Sequence, residues 1–87
     1  MLFEDFTLGE RIMVYRKRTG LSQADLAKMV QISVSTLNKY ENDKVDNPDV
    51  DILFNLSVAL DVSVNKLIMG IEDPKMRMKI ESLLKNR

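Results

Sequence analysis

Apolar residues recur at helical spacing along nearly the whole chain. Leu8, Ile12 and Tyr15 fall at i, i+4 and i+7, the period of one helix face. Thr7 and Glu10 have the spacing of a capping box, in which each side chain meets the other's backbone N–H. The first helix is therefore expected to start at Thr7 and to end at Gly20. Ser22 and Asp25 repeat the device and open a second helix to about Val30, with Leu26, Ala27 and Val30 on one face. Ser33 is the expected N-cap of a third helix, lined by Leu37 and Tyr40, which ends near Asn42 and Asp43. Both of those residues tolerate the left-handed conformation that a helix end often needs. Asn47-Pro48-Asp49 reads as a further start: Asn47 caps, Pro48 fits the first turn, and acids there suit the helix dipole. That fourth helix carries Ile52, Leu53, Leu56, Ala59 and Leu60. Ser63 starts a short fifth one with Val64, Leu67 and Ile68, stopped by Gly70. Asp73-Pro74 opens a last helix over about 74–85. No strand-like alternation of useful length appears, so the expected fold class is all-α.

Residues 22–42 hold the second and third helices with a three-residue break between them, and Ile32 sits in that break. Two such helices packed at a steep angle form a helix-turn-helix, and in DNA-binding versions the second of them lies in the major groove. With Leu37, Tyr40 and Glu41 turned inward, Val34, Ser35, Asn38, Lys39 and Asn42 form the opposite stripe of the third helix. Composition bounds this picture without extending it. A chain of 87 residues makes one small domain with a thin core. With no Cys and no His, it offers no disulfide, no thiolate metal site and no catalytic constellation. An enzyme, a metal site and a cofactor are not expected. No apolar run approaches the roughly 20 residues of a membrane span, so a soluble cytoplasmic protein is the expectation.

The net charge is zero, but it is unevenly spread. Residues 1–15 sum to −2, 16–44 to +3, 45–73 to −5 and 74–87 to +4. Phosphate contacts are local, so a neutral chain with one positive face can still bind DNA.

These segments resemble the Cro/Xre-type helix-turn-helix domain of phage repressors and many bacterial regulators. The matching stretches are LGERIMVYRKRTGLSQADLA, ISVSTLNKYEN and NPDVDILFNLSVALDVSVNKLIMG. Small Ala27, apolar Ile32 and Leu37, and Glu41 all fall in register. The resemblance implies a compact five-helix repressor-like bundle over 1–70, with an additional amphipathic helix over 71–87. It implies a sequence-specific regulator of double-stranded DNA, most simply a dimeric repressor that reads a palindromic operator. By the same alignment, Val34, Ser35 and Lys39 hold base-reading positions, with Asn38 as a further candidate. Lys39 could donate to guanine, Ser35 could contact either kind of base, and Val34 could pack on a thymine methyl. Gln23 is implied to anchor the DNA backbone and could also reach a base, while Thr36, Asn42 and Lys44 fit phosphate contacts. Arg16 is implied to pair with Glu41, tying the recognition helix to the first helix and holding a guanidinium near a phosphate.

Two residues depart from the family pattern. Gln31 and Asp43 stand where Gly is common, and a left-handed backbone at Gln31 costs roughly 1 kcal/mol. Asp43 and Asp46 are expected near phosphates, where they would weaken or shift a contact, and the loop 44–47 looks about one residue longer than the common form. The tail remains open. Met76, Ile80, Leu83 and Leu84 form an apolar stripe that either packs on the core or makes a dimer seam. Val62, Val64 and Ile68 are the other candidate interface. A competing reading makes the chain an antitoxin whose main partner is a toxin protein, with DNA binding as autoregulation. The acidic segment 45–73 fits a basic partner of that kind.

Overall fold

The computed structural model describes residues 6–69. Five helices follow one another and no strand occurs among these residues: α1 Leu8–Arg18, α2 Gln23–Met29, α3 Val34–Glu41, α4 Val50–Ala59 and α5 Val64–Met69. The expected all-α class and the helix-turn-helix of α2 and α3 are present. The tail helix expected over 74–85 lies outside the described residues.

Local chemistry sets the helix starts. Both capping boxes form: Thr7 with Glu10 on α1, and Ser22 with Asp25 on α2. Ser33 caps α3 by accepting from the Thr36 N–H. The start of α4 differs from expectation, because its cap is Asp49 and not Asn47. The Asp49 carboxylate accepts from the Ile52 N–H at 3.1 Å, while its own N–H donates to the Tyr40 hydroxyl at 2.9 Å. This tertiary contact with α3 fixes the turn two residues later than the Asn-Pro signal suggests.

The helix ends share one device. At the ends of α1, α2, α3 and α4 the residue after the cap takes a positive φ: Gly20 at 76°, Gln31 at 59°, Asp43 at 56° and Asp61 at 55°. In each case its N–H and the next N–H return to the helix's last carbonyls, as in Gln31 to Lys28 and Ile32 to Ala27. This is the Schellman arrangement, which satisfies carbonyls that the helix leaves orphaned. Gly serves the turn once; the other three positions accept left-handed strain. Leu21, Ile32 and Val62, the residues that follow three of these turns, pack against the core. The strain is thereby offset by burial at two of the three strained ends, those at Gln31 and Asp61.

Each helix supplies one large side chain that is fully buried: Ile12, Leu26, Leu37, Leu56 and Leu67. Burying such a side chain stabilises by about 1.5–3 kcal/mol. Tyr15, Ala27, Val30, Tyr40, Leu53 and Leu60 complete the core. Ala27 on α2 is 1% exposed, so a larger side chain there would overpack the core. Ile32 is only partly buried, and Ile68, expected on an apolar stripe, is exposed.

Two features of α1 lock it to both ends of the bundle. Gly9 lies directly against the C-terminal turn of α3. A Cβ there would stand 2.5 Å from the Glu41 and Tyr40 carbonyl oxygens. Arg11 is buried and donates through Nε to the Leu67 carbonyl at 2.6 Å, and through its two Nη atoms to the Phe6 and Ile68 carbonyls. A cation suits these last carbonyls of α5, where the helix dipole is negative. Burial lowers the Arg11 pKa, while Tyr15, Asp43 and Glu10 act in the opposite direction.

Candidate nucleic-acid interface

The face of α3 turned from the core presents Val34, Ser35, Asn38, Lys39 and Asn42, all exposed. Val34, at the start of the stripe, is 45% exposed. Leu37, Tyr40 and Glu41 are buried on the other face, which holds α3 against α1 and α2. α3 is about 12 Å long, a length that a major groove about 12 Å wide admits. Asn42 donates through Nδ2 to the Asn38 backbone carbonyl at 2.8 Å and to the Asn38 Oδ1 at 3.3 Å. The two amides thus stand together at the end of the stripe.

Beneath this face lies a buried charged cluster. Arg16 donates to both oxygens of Glu41, through Nε to Oε2 at 2.7 Å and through Nη2 to Oε1 at 3.1 Å. Its Nη1 also donates to the Leu21 carbonyl at 3.0 Å. The two side chains are 11% and 3% exposed, so this is a buried fork and not a surface pair. Gln23 joins it, donating from Nε2 to Glu41 Oε1 at 3.0 Å. The expected Arg16–Glu41 pair is present. The link to Gln23, which the sequence reading missed, ties the start of α2 to the end of α3.

The remaining candidates are placed as follows. Gln23 is half-buried at the first position of α2, and Thr36 is half-buried with its hydroxyl accepting from Ser33 Oγ at 2.9 Å. Lys44 is exposed just after α3. Asp43 does not hold its carboxylate free. It accepts from the Gly9 N–H at 3.0 Å and from the Thr7 hydroxyl at 2.5 Å, both at the start of α1. A Gly at this position would relieve the backbone and lose both bonds. Asp46 is exposed in the connection to α4.

The electrostatic outcome favours an anion. Among residues 16–44 there are three acids, and each carboxylate already accepts from a donor inside the protein. Asp25 accepts from the Ser22 N–H, Glu41 from Arg16 and Gln23, and Asp43 from the start of α1. Lys28, Lys39 and Lys44 remain exposed on the same segment. Among the described residues no three His, Cys, Asp or Glu side chains gather as metal ligands, and no helix is long and apolar enough to cross a membrane.

Known proteins share this fold. The HTH-type transcriptional regulator SinR of Bacillus licheniformis is 32% identical over 79 residues, which cover 91% of this chain. The chain spans 71% of that relative's length and 55% of the length of SinR from Bacillus subtilis. The P22 c2 repressor, solved in complex with a synthetic operator, superposes with a TM-score of 0.71 at 35% identity. That match covers 76% of this chain and 98% of the repressor chain. SinR solved in complex with DNA superposes at 0.66 with 38% identity, over 70% of this chain and 97% of the other. These relatives are transcription regulators and not enzymes. A helix-turn-helix family model matches residues 12–67, from the buried Ile12 of α1 to the buried Leu67 of α5. With the packed α2–α3 pair, its left-handed turn and the Arg16–Glu41 fork all in place, this chain belongs to the Cro/Xre-type helix-turn-helix family.

Proposed function

We propose that this chain is a cytoplasmic transcriptional repressor that binds double-stranded DNA by sequence, as a dimer on a palindromic operator. The observation that carries the reading is the exposed stripe of α3, backed by a buried fork that fixes the helix. The two solved relatives that sit on DNA support it. In this reading α3 lies in the major groove. Lys39 donates to guanine O6 and N7, Ser35 meets a base edge, and Val34 packs on a thymine methyl. Asn38 is a fourth reader. Gln23, Thr36, Asn42 and Lys44 meet phosphates and set the register without specifying sequence.

Arg16 has a double role here. Three of its N–H groups are engaged within the protein. A guanidinium carries five, so two remain for a nearby phosphate. Two copies related by a two-fold axis place their α3 helices roughly 34 Å apart, one turn of the duplex. Bound in this way, the protein represses by occupying the promoter.

Enrichment of tight binders from a random duplex pool, at near-physiological salt, tests this reading. A palindrome with half-sites about one helical turn apart is the expected product. A pool that stays random contradicts DNA recognition, and one enriched in single half-sites contradicts the dimer.

A further inference from the structure

The outer face of α4 carries Val50, Phe54 and Val58, one helical turn apart. They are 77%, 56% and 64% exposed. Spacing of i, i+4 and i+8 aligns them in one stripe. A surface helix normally turns polar residues to that side, and here it turns three large apolar ones. Along α4 and its two flanks the ionised groups are all acidic. From 46 to 61 the chain holds Asp46, Asp49, Asp51 and Asp61 and no Lys or Arg.

A cover for this stripe therefore needs repeated apolar side chains with positive charge beside them. The same face of a second copy meets only the first requirement. Symmetric pairing would set four Asp against four Asp, and like charges brought together disfavour a contact. Residues 74–87 of this chain meet both requirements. Met76, Ile80, Leu83 and Leu84 recur at i, i+4, i+7 and i+8, and the segment has five Lys and Arg against the single Glu81. α5 packs on α4 and ends at Met69, so four residues, 70–73, connect it to the segment. Four extended residues span up to about 14 Å, against a length of about 15 Å for α4 itself.

We propose that residues 74–85 dock in cis along the Val50–Phe54–Val58 stripe of α4, with their basic flanks against the Asp side chains. This inference is independent of the DNA reading. It assigns the tail to the domain's own surface and not to a dimer seam.

The absence of Cys allows a direct test on the full chain. Asn55→Cys places a single thiol on α4 beside Phe54, at an exposed position, and a nitroxide attached there broadens amide resonances of nearby residues. Docking in cis gives strong broadening across 76–84, unchanged on dilution and lost in Phe54→Lys or Val50→Lys. Both substituted positions are exposed, so each variant keeps the core. Sharp resonances across 76–84 would overturn the proposal. So would broadening that fades on dilution and appears as well in mixtures in which the nitroxide and the isotope label are on different chains, since that result assigns the stripe to a second copy.

Discussion

Glu41→Ala removes the acceptor on which the base of α3 converges. Its carboxylate receives three hydrogen bonds, two from Arg16 and one from Gln23. After the substitution the Arg16 guanidinium keeps only the Leu21 carbonyl and stays largely out of solvent. Breaking a buried pair by removing one partner costs about 3–5 kcal/mol, because the other charge is left uncompensated. An exposed pair would be worth only ~0–1 kcal/mol, and the burial of both side chains decides between the two figures. Domains of this kind have a total stability of about 5–15 kcal/mol, so the loss takes a large share. Urea unfolding followed by far-UV circular dichroism measures it directly, with Arg16→Lys beside it. Lys replaces the planar fork with a point charge, so that variant is expected to fall between wild type and Glu41→Ala. A loss below about 1 kcal/mol for Glu41→Ala would refute the claim that the cluster fixes α3.

Gly9→Ala puts a Cβ within 2.5 Å of two α3 carbonyls, which are backbone and cannot swing aside. A loss of about 1–3 kcal/mol in thermal or urea unfolding is expected, as for other overpacked sites. Gln31→Gly and Asp43→Gly should differ in sign although both relieve a left-handed backbone. Gln31→Gly gains up to about 1 kcal/mol, whereas Asp43→Gly is expected to destabilise, because hydrogen bonds to a charged acceptor contribute about 1.5–3 kcal/mol each. Equal shifts in their unfolding midpoints would contradict the role given to the Asp43 carboxylate. Gln23→Ala is expected to weaken binding to all duplexes by a similar factor, measured by fluorescence anisotropy on specific and scrambled sites. A loss confined to one base position would instead make Gln23 a reader.

The parts of the fold that depend on neighbours in sequence were legible in it. Thr7 with Glu10, Ser22 with Asp25, and Ser33 are local caps, and all three start helices where their spacing places them. The inward faces of α1, α2 and α3 follow from period alone. What depends on a partner far along the chain was not readable from spacing, and the one such contact foreseen, Arg16 with Glu41, came from the family resemblance. The start of α4 is set by Asp49 and the Tyr40 hydroxyl, nine residues apart, and this overrides Asn47-Pro48. Asp43 looked like an acid opposed to DNA, and only folding shows that it serves the start of α1, 34 residues earlier. Arg11 gave no signal as a buried clamp, because its acceptors are backbone carbonyls that every residue possesses. The exposed stripe of α4 was hidden for a related reason. Val50, Phe54 and Val58 share helical period with the true core of α4, and period cannot say which of two apolar faces is covered. Within the site, the exposed positions of α3 follow from the inward turn of Leu37 and Tyr40. Their assignment to bases or phosphates rests on the family resemblance.

Base reading by α3 is best tested by comparing two enrichments from the same random duplex pool, one with wild type and one with Lys39→Ala. Both proteins should enrich the same palindrome. The variant should lose its preference at one position in each half-site, with a cost of ~1–3 kcal/mol on the wild-type sequence. Identical preferences and affinities for the two proteins would show that the exposed face of α3 does not read the bases.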